Sequence, residues 1–208
     1  MVPSCVYGRF KVVDTPFGEC ILTHMNTTKL STADIRRETV VASAITMFAG
    51  SGYLGTSVAA IAEHAGISQA YVFKLFPSKE LLFVTTLEHC FELVQAALER
   101  GAAASADQTP DALLFAMGGA YAELIGDRSL LMLQVHAQSA ASVPEIGAAL
   151  RKGLQAITLF AKSRSNAQDV AVQRFIAYGQ LCHLIVVTGL DNNPPDWAHL
   201  ITAGIRHP

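Results

Sequence analysis

The sequence predicts an all-α protein, because its apolar residues recur at helical spacing and because glycine, serine and proline stand at the breaks between apolar segments. Val41, Ala44, Ile45 and Phe48 follow the i, i+3, i+4, i+7 pattern of one helical stripe. From Thr32 onward no segment has the two-residue period of a half-buried strand. A chain of 208 residues with 51% hydrophobic content can bury a core as one compact unit or as two small ones.

Residues 1–30 are irregular, and we expect them to form an extension before the helical body. They are rich in proline, glycine, threonine and β-forming residues. The segment FKVVDTPFG, residues 10–18, fits either a strand or a flexible arm, and both interpretations stay open. The segment from Met25 is a more usual start for the helical body that follows. Residues 1–24 are therefore interpreted as an extension or as an early start-codon assignment.

Four helices are predicted between Thr32 and about Arg100. The first ends in GSGYLG, residues 50–55, whose glycines tolerate the left-handed backbone. The third is short, covers residues 69–75, and stops before Pro77. The second, third and fourth helices each start at a hydroxyl side chain that can cap them, namely Thr56 or Ser57, Ser68 and Ser78.

Helical periodicity resumes after a loop at residues 102–110. The four helices predicted there cover residues 111–125, 128–140, 144–164 and 167–190. The turn-forming segment DNNPP, residues 191–195, ends the last of them, and a short tail helix follows.

Composition excludes several classes of protein. Charged residues make up 15% of the chain, which argues against disorder. No uninterrupted apolar run approaches the roughly 20 residues that span a bilayer, so no membrane partner is expected. The first residues lack the basic and apolar regions of a signal peptide, which predicts a cytoplasmic location. The cysteines have no CxxC spacing and indicate neither a metal site nor a disulfide framework; they are Cys5, Cys20, Cys90 and Cys182.

An enzyme is not expected either. No nucleophile, base and orienting group stand at a recognisable spacing, and the sequence has neither a phosphate-binding loop nor an HExxH motif. We therefore predict no catalytic residue and no cofactor. Residues 1–80 carry a net charge of +1 and residues 81–208 a net charge of −3, which has the right sign for an amino-terminal nucleic-acid module but is small.

The short third helix and its neighbour form a helix-turn-helix pattern, with Gly66 in the turn. The apolar positions that would hold the two helices together are Ile61, Ala62, Ala65, Ile67, Val72 and Phe76. The opposite face of the third helix carries Gln69, Tyr71 and Lys74, which suit contacts to base edges and phosphates in a major groove. Lys79 stands in the first turn of the fourth helix, where a cation is disfavoured unless an external anion such as DNA phosphate binds there; a solvated side chain is the simpler alternative.

The segment TVVASAITMFAGSGYLGTSVAAIAEHAGISQAYVFKLFPSKELL, from Thr39 to Leu82, resembles the amino-terminal domain of TetR-family transcriptional regulators. The resemblance implies a helix-turn-helix domain at residues 31–80 and a larger helical domain for ligand binding and dimerisation at residues 81–208. It implies DNA contacts by Arg36, Arg37, Thr56, Ser57, Ser68, Gln69, Ala70, Tyr71, Phe73, Lys74 and Lys79. The chain departs from the family pattern at Ala59, often basic, at Phe73, often tyrosine, and at Tyr71, often small.

The same resemblance implies a homodimer on a palindromic double-stranded operator, with residues 144–164 and 167–190 forming a four-helix bundle with their partner copy. Two apolar stripes that one subunit would have difficulty covering fit this interface. They are Ile146, Leu150, Leu154, Ile157 and Phe160 on the first helix, and Phe175, Tyr178, Leu181, Leu184 and Ile185 on the second.

A ligand pocket is expected inside the carboxy-terminal helices, for a small hydrophobic or aromatic effector that releases the operator. The candidate contacts are Phe91, Phe115, Met117, Tyr121, Met132, His136 and His183, with Gln134 as a further polar candidate. For each of them, an ordinary core or surface position is the simpler interpretation. Gly118 and Gly119 would leave room for the ligand or allow close helix packing. The alternative function is a helix-turn-helix protein controlled by a protein partner, with no effector.

Overall fold

The computed structural model describes residues 10–14, 20–24, 32–192 and 194–204. The chain forms two compact units, residues 1–36 and residues 37–208. In the first unit, β1 (Phe10–Asp14) pairs antiparallel with β2 (Cys20–His24), with Phe10 opposite His24. The strand interpretation of the FKVVD segment is therefore confirmed. The interpretation of residues 1–24 as an extension falls mostly outside the described residues, as does the proposed beginning at Met25.

The rest of the described chain is helical, as predicted. Its helices are α1 (Thr32–Gly55), α2 (Val58–His64), α3 (Gln69–Leu75), α4 (Lys79–Ala104), α5 (Pro110–Ile125), α6 (Arg128–Ser139), α7 (Pro144–Ser165), α8 (Asp169–Val187), a 3-10 turn (Asp196–Ala198) and α9 (His199–Thr202). The predicted bounds of α3 agree with the structure. Helix α4 continues to Ala104, beyond the predicted end near Arg100, and α8 ends at Val187 because a turn follows from Thr188.

Helix α1 is interrupted at Gly52, which has φ 69° and ψ 179°. This backbone region is open almost only to glycine, so the chain can turn sharply within the predicted GSGYLG segment. A Cβ atom on Gly52 would also lie 2.9 Å from Nδ1 of His136 on α6. The glycine thus satisfies both the turn and the close approach of α6.

Two apolar cores form in the second unit, and α4 passes through both. The amino-terminal core includes Phe48, Ile61, Val72, Phe76, Leu82 and Phe83, together with Leu133 and Ile146 from later helices. The carboxy-terminal core includes Val94, Leu98, Leu113, Met117, Ile157 and Val172. Because α4 contributes Phe83 to one core and Leu98 to the other, it fixes the helix-turn-helix helices with respect to the later bundle.

The predicted interface stripes divide into buried and exposed residues. Ile146, Ile157 and Ile185 are buried within the chain itself, which corrects their assignment to a subunit interface. They follow the helical period because α7 and α8 also pack against their own bundle. Leu154 and Leu184 remain on the surface, with 45% and 53% of their area exposed.

Candidate nucleic-acid interface and internal cavity

The turn between α2 and α3 is built by its caps. The Ser57 hydroxyl accepts a hydrogen bond from the Ala60 N–H at 3.1 Å, and the Ser68 hydroxyl accepts one from the Tyr71 N–H at 3.2 Å. Gly66 lies between them at φ 66°, in the left-handed region that favours glycine. These contacts fix where α3 begins and therefore which of its side chains face outward.

Helix α3 presents a polar outer face, as the sequence predicts. Val72 is fully buried and anchors the inner face. On the outer side, Gln69, Ala70, Phe73 and Lys74 are exposed and Tyr71 is half-buried.

At the three positions that depart from the family pattern, the side chains are also accessible. Ala59 and Phe73 are exposed, and Tyr71 is half-buried. Because alanine and phenylalanine carry no hydrogen-bonding group, the first two positions contribute none to this surface.

Arg37 holds the end of α3 in place. Its guanidinium donates a hydrogen bond to the Leu75 carbonyl at 2.8 Å and lies 4.1 Å from the centre of the Phe76 ring. A cation close to an aromatic face and to the last carbonyls of a helix is stabilising. Arg37 therefore has a structural partner in addition to its predicted DNA contact. Arg36, beside it in sequence, is exposed.

Thr56 does not have the position that the sequence predicted for it. It is 3% exposed, and its hydroxyl donates to the Met47 carbonyl at 3.0 Å. Its side chain is therefore unavailable to DNA, and Ser57 is the residue that caps α2. The sequence could not separate the two hydroxyls, because only the packing of α1 beneath them decides which one points inward.

The first turn of α4 carries a group of interactions that the sequence did not predict. Ser78 caps the helix, accepting a hydrogen bond from the Leu81 N–H at 3.1 Å. The Tyr53 hydroxyl donates to Glu80, and the Lys79 ammonium lies 4.7 Å from the centre of the Tyr53 ring. The hydrogen bond from Tyr53 lowers the pKa of Glu80. Burial, with a smaller contribution from Glu80, raises the pKa of Tyr53 to about 12. Tyr53 therefore contacts one anionic and one cationic side chain at this helix terminus.

A cavity of about 270 Å³ that is partly open to solvent lies among α4, α5, α7 and α8, with Gln134 from α6 and Gly204 after α9. Three predicted ligand contacts line it: Phe91, Phe115 and Tyr121. Gln134 lines it as well, and so do Gly118 and Gly119. A Cβ atom on Gly118 would lie 3.9 Å from Phe175, its nearest neighbour, so no helix packs closely against this glycine. Of the two roles predicted for Gly118, room for a ligand therefore fits better than close helix packing.

Four other predicted contacts do not line the cavity. Met117 is fully buried in the carboxy-terminal core, and Met132 packs against the same core. His136 lies against Gly52, at the amino-terminal side of the bundle. His183 is hydrogen-bonded to Tyr121 and is not itself a wall residue. The helical period placed these side chains in an apolar region. It does not show which of the apolar side chains line a cavity and which pack in the core.

Gln134, Tyr121 and His183 form a buried polar cluster at the cavity wall. The Tyr121 hydroxyl lies 2.6 Å from Nε2 of His183 and donates to Oε1 of Gln134 at 3.4 Å. Burial raises the pKa of Tyr121 and lowers the pKa of His183 to about 4. The three side chains are therefore uncharged near neutral pH. Two charged residues, Asp111 and Arg174, also line the cavity but are exposed to solvent.

The sequence predicted only some of the aromatic residues of the cavity wall. Phe175 and Tyr178 line the cavity, although their spacing placed them in an interface stripe. The signal that could have found them is their position opposite the glycines of α5, but that pairing depends on the packing of α5 against α8.

Residues 40–85 match the family model described as bacterial regulatory proteins, tetR family. A comparison with curated proteins finds no match.

Solved structures share the fold of the chain. A TetR-family transcriptional regulator from Agrobacterium tumefaciens is 17% identical with a TM-score of 0.65, covering 82% of this chain and 95% of that one. A transcriptional regulator from Rhodococcus sp. Rha1 is 21% identical with a TM-score of 0.63, covering 79% and 90%. The regulator FadR from Bacillus subtilis, in complex with stearoyl-CoA, is 16% identical with a TM-score of 0.63, covering 81% and 98%.

Proposed function

We infer that the protein is a ligand-responsive transcriptional repressor, because residues 40–85 match the family model of tetR-family bacterial regulatory proteins and the helices share the fold of a TetR-family regulator. It acts in the cytoplasm, binds a palindromic operator as a homodimer, and is released by a small hydrophobic or aromatic effector. The observation that carries this proposal is the exposed polar face of α3, propped by the buried Val72.

The DNA contacts are assigned to α3 and to the first turn of α4. Gln69 offers the amide that pairs with adenine, and Lys74 reaches a phosphate or a guanine. At the amino end of α4, Lys79 and the helix dipole together favour a phosphate. Ser57 and Ser68 complete the surface through their positions at the helix starts. Arg37 supports it by fixing the end of α3.

The homodimer is supported by apolar surface that the chain leaves uncovered. Helix α8 is as apolar and as long as a membrane-spanning helix, yet only 28% of its most apolar 18 residues are buried within the chain. Leu159, Leu184 and Val187 are exposed on α7 and α8 and do not line the cavity. Covering them with a second copy of the same two helices explains this surface and gives the twofold symmetry that a palindrome requires.

The effector site is assigned to the cavity among α4, α5, α7 and α8. Its volume of about 270 Å³ lies just below the range of roughly 300 to 1,000 Å³ that is usual for drug-sized ligands. We therefore propose a compact effector. The structure of FadR from Bacillus subtilis is a complex with stearoyl-CoA, so a protein with this fold binds a ligand that includes a long apolar chain. An effector that prefers the released conformation shifts the population away from the operator-bound one.

Selection of operators from a random duplex library, followed by titration of the enriched duplex, tests the proposal. Gln69→Ala is expected to relax the preference at one base position, at a cost of about 1–3 kcal/mol. Gln95→Ala, an exposed glutamine on α4, is the matched control and should bind as the unchanged protein does. An unaltered base preference in Gln69→Ala contradicts the role given to α3.

The salt dependence of binding tests the phosphate contact. Lys79→Ala should weaken binding to every sequence alike and reduce the slope of log K against log salt by about one per subunit. Lys152→Ala, an exposed lysine on α7, should leave the slope unchanged. A loss confined to particular sequences argues against a backbone contact. If the operator is bound but no compound in a broad hydrophobic library releases it, control by a protein partner replaces the effector.

A further inference from the structure

The buried polar groups of the cavity wall are neutral. Gln134 and Tyr121 are both buried and both line the cavity. The two charged wall residues, Asp111 and Arg174, are exposed and opposite in sign. An ionised group taken to the buried end would lose its hydration with no counter-charge beside it, which is far more costly than burying a neutral group that finds hydrogen bonds.

Hydrogen-bonding capacity remains at this neutral end. The Gln134 side-chain nitrogen donates one hydrogen bond, to the Leu130 carbonyl at 3.1 Å, and an amide nitrogen has a second N–H. The Tyr121 oxygen can accept two hydrogen bonds. Whichever tautomer His183 adopts at 2.6 Å, that oxygen keeps at least one free lone pair after its bonds to His183 and Gln134.

One N–H donor and one oxygen acceptor side by side match a hydroxyl group, because a hydroxyl accepts from the first and donates to the second. A ketone or an ether could use only the amide. The remaining wall is mostly apolar, and among its aliphatic side chains it presents four aromatic rings, those of Phe91, Phe115, Phe175 and Tyr178. Such rings favour an aromatic ligand through offset and edge-to-face contacts.

We propose that the cavity binds a small, uncharged aromatic molecule that carries a hydroxyl group, held by hydrogen bonds to Gln134 and Tyr121. His183 is a positioning residue that fixes the orientation of the Tyr121 hydroxyl. Among the described residues, Nδ1 of His183 has no hydrogen-bond partner, so its contact with Tyr121 is what holds the imidazole by hydrogen bonding. This inference rests on the proposed function only in taking the cavity as the effector site.

Calorimetric titration of the protein without DNA tests the assignment, with naphthalene, 2-naphthol and 2-naphthoate as probes at pH 7.5. The three share a ring system and differ in the group that would reach Gln134 and Tyr121. We expect 2-naphthol to bind about tenfold more tightly than either of the others, the equivalent of one or two net hydrogen bonds. Equal affinities for 2-naphthol and naphthalene, tighter binding of 2-naphthoate, or no binding of any probe overturns the proposal.

Variants assign the preference to residues. Tyr121→Phe should reduce the ratio of 2-naphthol to naphthalene affinity to about twofold or less while naphthalene binding is kept, which also demonstrates a folded cavity. Should Tyr121→Phe not fold, Gln134→Met keeps the side-chain length and is expected to reduce the same ratio. Gln95→Met, at an exposed glutamine of α4 that does not line the cavity, is the matched control and should keep the tenfold preference. An equal loss in Gln95→Met, or a preference kept in the folded Tyr121→Phe or Gln134→Met variant, refutes the assignment.

The positioning role of His183 has its own test. His183→Gln places an amide where Nε2 lies and should retain the preference for 2-naphthol, whereas His183→Leu should lose it with naphthalene binding unchanged. A retained preference in His183→Leu removes His183 from the arrangement. Because these titrations contain no operator, a failure of DNA binding leaves their outcome unaffected, and the two proposals can fail separately.

Discussion

Replacing Gly153 with alanine should destabilise the protein through a clash with the Phe91 ring. Gly153 is buried on α7, and a Cβ atom there would lie 2.1 Å from Cδ2 and 2.3 Å from Cε2 of Phe91 on α4. These distances are far inside van der Waals contact, so the ring must move toward the cavity that it lines. In a helix interior, alanine is otherwise better than glycine by about 1 kcal/mol.

The clash with Phe91 lowers the free energy of unfolding, whereas the better helix propensity of alanine raises it. Overpacking typically costs about 1–3 kcal/mol, and an overlap with three ring atoms within 2.4 Å favours the upper end. Subtracting the gain in helix propensity leaves a net loss of about 2 kcal/mol in the free energy of unfolding. For a chain of this length, that corresponds to a decrease in Tm of roughly 4–8 °C.

The assay is a double-mutant cycle by urea denaturation at one fixed protein concentration, since dimerisation makes stability depend on concentration. In a Phe91→Ala background the clash is absent, so Gly153→Ala should become stabilising by about 1 kcal/mol. The coupling energy between the two positions is then about 3 kcal/mol. If Gly153→Ala lowers the free energy of unfolding by the same amount in both backgrounds, the contact with Phe91 is not the cause of the loss.

Three further outcomes are expected. Gly52→Ala should lower the free energy of unfolding by about 1–3 kcal/mol, because position 52 has a positive φ. Adding His136→Ala should restore only a small part of that stability; full restoration would show that the contact with His136 causes the loss. Leu184→Glu should give a folded, helical monomer by light scattering and circular dichroism, whereas Leu54→Glu, at an 88% exposed leucine, should stay dimeric; a dimeric Leu184→Glu would exclude the α8 interface. His183 has its pKa lowered to about 4 by burial, so the unfolded chain binds the extra proton first as the pH falls. Between pH 6.5 and 4 the protein should therefore lose up to about 3 kcal/mol more stability than His183→Gln; parallel curves would contradict the burial of a neutral imidazole.

Local structure was predictable where a single residue type decides it. The hydroxyl caps at Ser68 and Ser78 and the proline after α3 fix helix ends by local hydrogen bonding and by steric exclusion, so the short helix was predicted with its observed bounds. The outward direction of Gln69 and Lys74 followed from the same register. The hydroxyl of Thr56 could not be assigned, because its inward rotation depends on the Met47 carbonyl nine residues away.

Tertiary arrangement limited the prediction of the larger half. Ile157 and Leu154 belong to one helical stripe, but only the former is covered by the chain's own bundle. Periodicity identifies an apolar stripe without identifying what covers it. The cavity is harder to predict than the stripes. Phe175 and Tyr121 line the same cavity only because α5 and α8 pack against each other.

Helix α4 gives the molecule a rigid lever. It continues without interruption from Lys79, at the surface assigned to phosphate, to Phe91 on the cavity wall. At 1.5 Å per residue these positions are roughly 18 Å apart along the axis, so a rotation of about 5° around Phe91 would carry the Lys79 end about 1.6 Å. That displacement is more than half the length of a hydrogen bond, and a ligand that merely reorients one aromatic ring could thereby break contacts at the far end.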